Sequence, residues 1–102
     1  MNNKDATIEI NELVESGKIV IEDFFSDSCV PCKQLLPLLE EIAEKEADVE
    51  LVKCDLADNS KRFRDLGVRT IPTLYFYSEK GQGMLIGTVP VEEIMEVIER
   101  LR

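Results

Sequence analysis

Cys29 and Cys32 stand three positions apart in Ser28-Cys29-Val30-Pro31-Cys32-Lys33, where an apolar strand-like run gives way to an apolar helical one. Thiols at that spacing can close a four-residue disulfide ring, and the chemistry of such a ring is dithiol–disulfide exchange. One thiolate attacks a disulfide, and the second thiol displaces what the first has captured. A helix starting beneath the pair points backbone N–H groups without intrahelical partners toward the first sulfur, which favours thiolate over thiol. Cys29 is therefore the expected low-pKa nucleophile. Cys32, nearly one turn further on and tucked toward the body of the protein, suits the resolving role. Closing so short a ring restrains little chain entropy, roughly 1.9 kcal/mol before any strain, so the pair makes a better redox switch than staple.

Two elements must position this pair. Ile19, Val20, Ile21, Phe24 and Phe25 form a run apolar enough for a central strand covered on both faces. A main helix is expected from Cys29 to about Ala47, capped by Asp27 or Ser28. Leu35, Leu38, Leu39, Ile42 and Ala43 would face the core, and Pro37 would interrupt and kink the helix. The strand also contains Glu22 and Asp23. A carboxylate in a central strand is costly to bury unless paired or protonated, so one of the two is expected to have a raised pKa, as suits a proton-transfer group beside thiols.

At 102 residues the chain is read as one domain, 1–102, long enough to bury roughly two-thirds of its unfolded surface. Twelve Lys and Arg against 21 Asp and Glu give a net charge of −9, which argues against nucleic acid and anionic membrane surfaces as partners. Asn2-Asn3-Lys4-Asp5 leads into a segment with no apolar signal-peptide core, and no apolar run approaches membrane-spanning length; a cytoplasmic location is expected. Three cysteines do not make a secreted disulfide framework. The third, Cys54, reads as a small buried or half-buried side chain of a strand Val49–Asp55, with no catalytic role.

Along the rest of the chain, Thr7-Ile8-Glu9-Ile10 alternates as a short edge strand would, followed by a brief helix over 11–16 closed by Gly17. Ala57-Asp58-Asn59-Ser60 offers turn and cap chemistry for a short helix through Phe63 to Leu66, ended by Gly67. The alternation of strands and helices implies βαβ crossovers and a parallel central sheet. Val68 to Tyr77 is β-rich with Pro72 at its mouth, where a residue that cannot donate to a ladder belongs. A turn over 78–83 and a strand Met84–Thr88 complete a hairpin, and Val91–Leu101 is an amphipathic helix.

In combination, Asp23-Phe24-Phe25, Cys29-Val30-Pro31-Cys32-Lys33, Pro37, Val52-Lys53-Cys54-Asp55, Gly67-Val68-Arg69-Thr70-Ile71-Pro72-Thr73 and Gly87-Thr88-Val89-Pro90 resemble the thioredoxin family over nearly the whole chain. The resemblance implies an α/β thioredoxin fold: a central mixed sheet with parallel inner strands, a C-terminal antiparallel hairpin and helices on both faces. It implies a protein disulfide reductase without a bound cofactor, a monomer that takes electrons from a flavoprotein thioredoxin reductase, NADPH- or ferredoxin-linked, and passes them to disulfide-containing target proteins. Cys29 would attack the target and Cys32 release it. Asp23 would help move the proton from Cys32, with Lys53 as its charge partner. Pro72 would be a cis-proline beside the thiols, with the backbone of Ile71 pairing with an extended substrate segment. Ile86, Gly87 and Thr88 would supply apolar docking surface, joined by Ser28, Val30 and Pro31 around the cysteines. Two positions depart from the family. Ser28 stands where a tryptophan is usual, in a chain with none, and Val30 stands where glycine is usual between the cysteines. Target contacts and reduction potential should differ accordingly.

Rival readings are a disulfide isomerase or oxidase, a glutaredoxin-like protein, a non-catalytic thioredoxin-fold binding module, and a metal site. With three cysteines and no histidine, a four-ligand zinc site would need a carboxylate or water, so no metal is assigned. Cytoplasmic context and Ile71 before the proline favour the reductase.

Overall fold

A computed structural model describes residues 6–102. Its order is α1 (Ala6–Glu15), β1 (Ile19–Phe25), α2 (Val30–Lys45), β2 (Val49–Asp55), α3 (Ser60–Asp65), β3 (Thr73–Ser78), β4 (Gly81–Ile86) and α4 (Val91–Leu101). The strands form one mixed sheet in the order β2-β1-β3-β4. The most apolar strand, β1, lies inside the sheet, and its alternating side chains found two cores. Ile19 and Ile21 look toward α2 and α4, where Leu35, Leu39, Ile42, Ile94, Val97, Ile98 and Leu101 cover Leu74 and Phe76 of β3. Val20 and Phe24 look the other way, toward Ile10 of α1 and Phe63 of α3. Each large apolar side chain taken out of water this way contributes about 1.5–3 kcal/mol, which explains why helices cover both faces.

β1 and β2 pair in parallel, Ile19 opposite Val49 and Phe25 opposite Asp55. β3 runs antiparallel to β1, with Phe24 opposite Thr73, and β4 returns antiparallel to β3 as the expected hairpin. Parallel pairing is thus confined to β1 and β2; the strand–helix alternation suggested that it would extend to β3. The long α3 connection brings the chain back from the opposite direction. The hairpin turn is also tighter than the expected 78–83: Ser78 pairs with Gly81, whose φ of +145° suits only glycine, and β4 ends at Ile86.

The expected N-terminal strand does not form. Thr7 to Ile10 belongs to α1, because Ile10, Leu13 and Val14 follow helical spacing and pack on Val20 and Val52, while Ile8 is exposed. Gly17, at a φ of +93°, closes this helix as expected. Helix α2 runs without a break across Pro37, and Leu38, expected in the core, is 40% exposed. α4 has its expected bounds and buried face.

Candidate active site

The first residue of α2 is Val30, so the expected cap at Asp27 or Ser28 is displaced to Cys29. Cys29 has extended backbone angles, and its Sγ accepts the Cys32 N–H at 3.2 Å. A sulfur here takes the place of the usual oxygen cap, satisfying one of the N–H groups that the helix start leaves open. Pro31 lies in the first turn, where its missing N–H costs nothing. Cys29 and Cys32 are joined as a disulfide with a Cα–Cα separation of 5.3 Å. The two sulfurs differ in access: Cys32 is buried, Cys29 only half-buried, and Val30 between them is 60% exposed.

Beneath the ring lies Asp23. It is buried on the α2 side of β1, and its Oδ1 has no hydrogen-bond partner among the described residues. Burial pushes its pKa up to about 6, opposed by the positive charge of Lys53. Asp23 and Cys32 line one small cavity of about 110 Å³, together with Phe25, Ser26, Asp27 and Lys33. The carboxyl group and the inner cysteine therefore share a space large enough for water. Lys53 is less directly placed than expected. It is the register partner of Asp23, but its ammonium bonds Glu40 at 3.2 Å and is half exposed, so it acts on Asp23 through its field.

The second carboxylate of β1 points to the opposite face. Glu22 is fully buried, takes the Arg62 guanidinium through Nε at 2.5 Å and Nη2 at 2.8 Å, and accepts from the Tyr77 hydroxyl at 2.9 Å. Arg62 also donates to Thr7. This network had no place in the sequence reading. The signal was Glu22 itself, a buried acid that needed a cation, but nothing in the spacing pointed to a residue forty positions later. Cys54 lies on this face too, in one buried cluster with Phe24 and Phe63, and burial raises its thiol pKa to about 12.

The downstream candidate residues converge on the same end of the sheet. Thr73 pairs with Phe24 of β1 and with Ile86 of β4, which sets Ile71 and Pro72 beside the strand end that leads through Ser26 to Cys29. The Ile71–Pro72 peptide bond is cis. Gly87, with a φ of +82°, donates its N–H to the Pro72 carbonyl at 2.7 Å. Ile86 is 56% exposed, and Ser28 and Thr88 are also exposed. At the β2 end, Leu56 donates its N–H to the carbonyl of Phe25 at 2.9 Å. Such a rim can shelter an exposed apolar docking surface around a reactive sulfur. Among the described residues, no three His, Cys, Asp or Glu side chains converge on a common point to hold a metal ion, and no helix is long and apolar enough to cross a membrane.

A family model described as Thioredoxin matches residues 3–100. The chain is 34% identical over 102 residues to a thioredoxin of Listeria monocytogenes, covering 95% of this chain and 96% of that one. It is 33% identical over 92 residues to a thioredoxin of Mycoplasmoides gallisepticum, covering 89% and 92%. Among solved structures, a single-residue mutant of thioredoxin from Halobacterium salinarum NRC-1 superposes with a TM-score of 0.80 at 28% identity, over 92% of this chain and 83% of that one.

Proposed function

The chain belongs to the thioredoxin family and is a protein disulfide oxidoreductase, and on that premise we propose how its residues divide the work. In the reduced form, the Cys29 thiolate attacks one sulfur of a target disulfide. A mixed disulfide forms, and the other target sulfur leaves as a thiolate that takes up a proton. Cys32 gives its proton to ionised Asp23 across their shared cavity and attacks the Cys29 sulfur. The second target sulfur leaves as a thiolate and is protonated in turn. Two electrons have passed to the target, and the Cys29–Cys32 disulfide is restored. A reductase must then return two electrons; we assign this role to a flavoprotein thioredoxin reductase, NADPH- or ferredoxin-linked, with 1–102 working as one domain in the cytoplasm.

The observation that carries this reading is the vertical order of the site: a half-buried Cys29 Sγ held by the Cys32 N–H, and a buried Cys32 lining one cavity with a carboxyl group whose pKa is raised. Lys53 tunes that carboxyl. Ile71, Pro72, Ile86, Gly87 and Thr88, with Ser28, Val30 and Pro31, form the docking rim. Because Ser28 leaves the rim without a large aromatic, docking should favour a cognate reductase over a generic one, and equal turnover by both would count against that.

The test is the equilibrium reduction potential of the pair in thiol–disulfide buffers, together with a Cys32→Ser variant. A strongly negative potential with target proteins trapped on Cys29 supports the reductase. A mild potential with trapped targets points instead to an isomerase-like or glutaredoxin-like role. A pair that does not exchange at all overturns both.

A further inference from the structure

Beside Ile71 there is a cavity of about 310 Å³ whose floor is Leu56, Phe63, Val68 and Ile71 itself and whose only charged lining residues among those described are Arg64 and Arg69. Both arginines are exposed, and neither guanidinium makes a hydrogen bond or ion pair with another described residue. In a chain with a net charge of −9, two guanidinium groups without carboxylate partners among the described residues, set around one apolar hollow, are a local reversal of sign. Arg69 also lines the neighbouring hollow on the far side of the 67–70 loop, with Thr70, Thr73, Met84 and Ile86 and again no acidic residue. The first hollow opens at the sheet end that carries the redox disulfide, since Leu56 is tied to Phe25 and Ile71 precedes the strand that pairs with Phe24.

We propose that Arg64 and Arg69 select targets, favouring a disulfide-bearing segment that places an apolar side chain in the hollow and a carboxylate beside it. The proposal rests on the reductase reading and adds the chemistry of the preferred target. Guanidinium groups with no partner among the described residues are available to pair with a carboxylate, and their field steers encounter against the repulsion of the acidic body. An acidic target is thereby guided to this rim in preference to the rest of a net-negative surface.

The test uses three disulfide-linked synthetic peptides that differ at one position, Leu-Asp, Leu-Asn or Leu-Lys next to the half-cystine, reduced by the full chain and by the R64Q/R69Q variant. Exchange with dithiothreitol serves as a control that needs no docking. The parent is expected to reduce the Asp peptide with a kcat/KM about fivefold above that of the Lys peptide at low ionic strength, with the Asn peptide between them. This preference should shrink toward unity in 0.5 M salt and in the variant, with dithiothreitol exchange unchanged. A preference equal in parent and variant, or absent from the parent, overturns the assignment of Arg64 and Arg69 while leaving the reductase reading intact. Absence of exchange even with dithiothreitol overturns the reductase reading and this proposal with it.

Discussion

Asp23 and Lys53 are opposite one another in the register of β1 and β2, yet the Lys53 ammonium bonds Glu40, 3.2 Å away, while an Asp23 oxygen has no hydrogen-bond partner among the described residues. The cation is shared between a carboxylate on the surface and one beneath it. Lys53→Met should therefore raise the Asp23 pKa further above its value of about 6. Glu40→Gln, which frees the ammonium, should lower it. Movements of about half a pH unit are expected for a partly exposed cation, and a carboxyl-carbon NMR titration would measure them. No movement in either variant would remove Lys53 from the site.

Asp23 also gives stability a dependence on pH, and the sign follows from its raised pKa. A carboxyl that ionises near 6 when folded and near 3.8 when unfolded holds its proton more tightly in the folded state. Stability should fall as pH rises between those values and level off above them. The interval corresponds to about 3 kcal/mol. Between pH 3 and pH 8, the stability of Asp23→Asn relative to its parent should improve by about that amount, whatever the amide costs at acid pH. Urea unfolding of the oxidised form at several pH values checks this, and a pH-independent difference would contradict it.

Glu22 and Arg62 form the buried ion pair on the opposite face. Arg62→Met leaves the buried carboxylate without its cation, still accepting from the Tyr77 hydroxyl, and should cost about 3–5 kcal/mol. Replacing both residues, as Glu22→Leu with Arg62→Met, should recover most of that loss, because no buried charge is then left alone. Denaturant midpoints at neutral pH distinguish the two variants. A double variant as unstable as the single one would mean that the network supports the fold through geometry rather than charge.

Cys54 should be chemically silent. Burial holds its thiol near 12, far above the working range. Brief alkylation of the reduced, folded protein at pH 8 should label Cys29 and spare Cys54. Cys54→Ala should leave the exchange rate unchanged while costing about 1 kcal/mol of stability from lost packing. Peptide mass mapping reads the first outcome, and labelling of Cys54 at the rate of Cys29 would refute it.

How much of this was legible from residue order depends on the range of each interaction. The strand Ile19–Phe25 was legible as a short run apolar enough to be covered on both faces, and the helix Val91–Leu101 because its apolar residues recur at helical spacing. Thr7-Ile8-Glu9-Ile10 was misread because four residues satisfy a period of two while the helical period needs Leu13 and Val14 to show itself. The direction of β3 was hidden because the long connection through α3 permits either sense. The paired cysteines, Asp23 and Pro72 could be named because their types and spacing are unusual. The sulfur cap was not foreseen, since Asp27 and Ser28 are the chemically conventional choices. The cation over Glu22 and the bond from Lys53 to Glu40 depend on how α3 and α2 settle on the sheet, a matter of tertiary packing that spacing along the chain does not encode.

The unequal burial of the two sulfurs in the Cys29–Cys32 ring also bears on traffic. With the inner cysteine buried, the proposed roles would have electrons arrive and depart through the same outer sulfur and across the same rim. The supplier and the recipient must therefore take turns, and neither can wait docked while the other reacts. On those roles the protein would operate as a shuttle between successive encounters, and crowding by one class of partner should slow its exchange with the other.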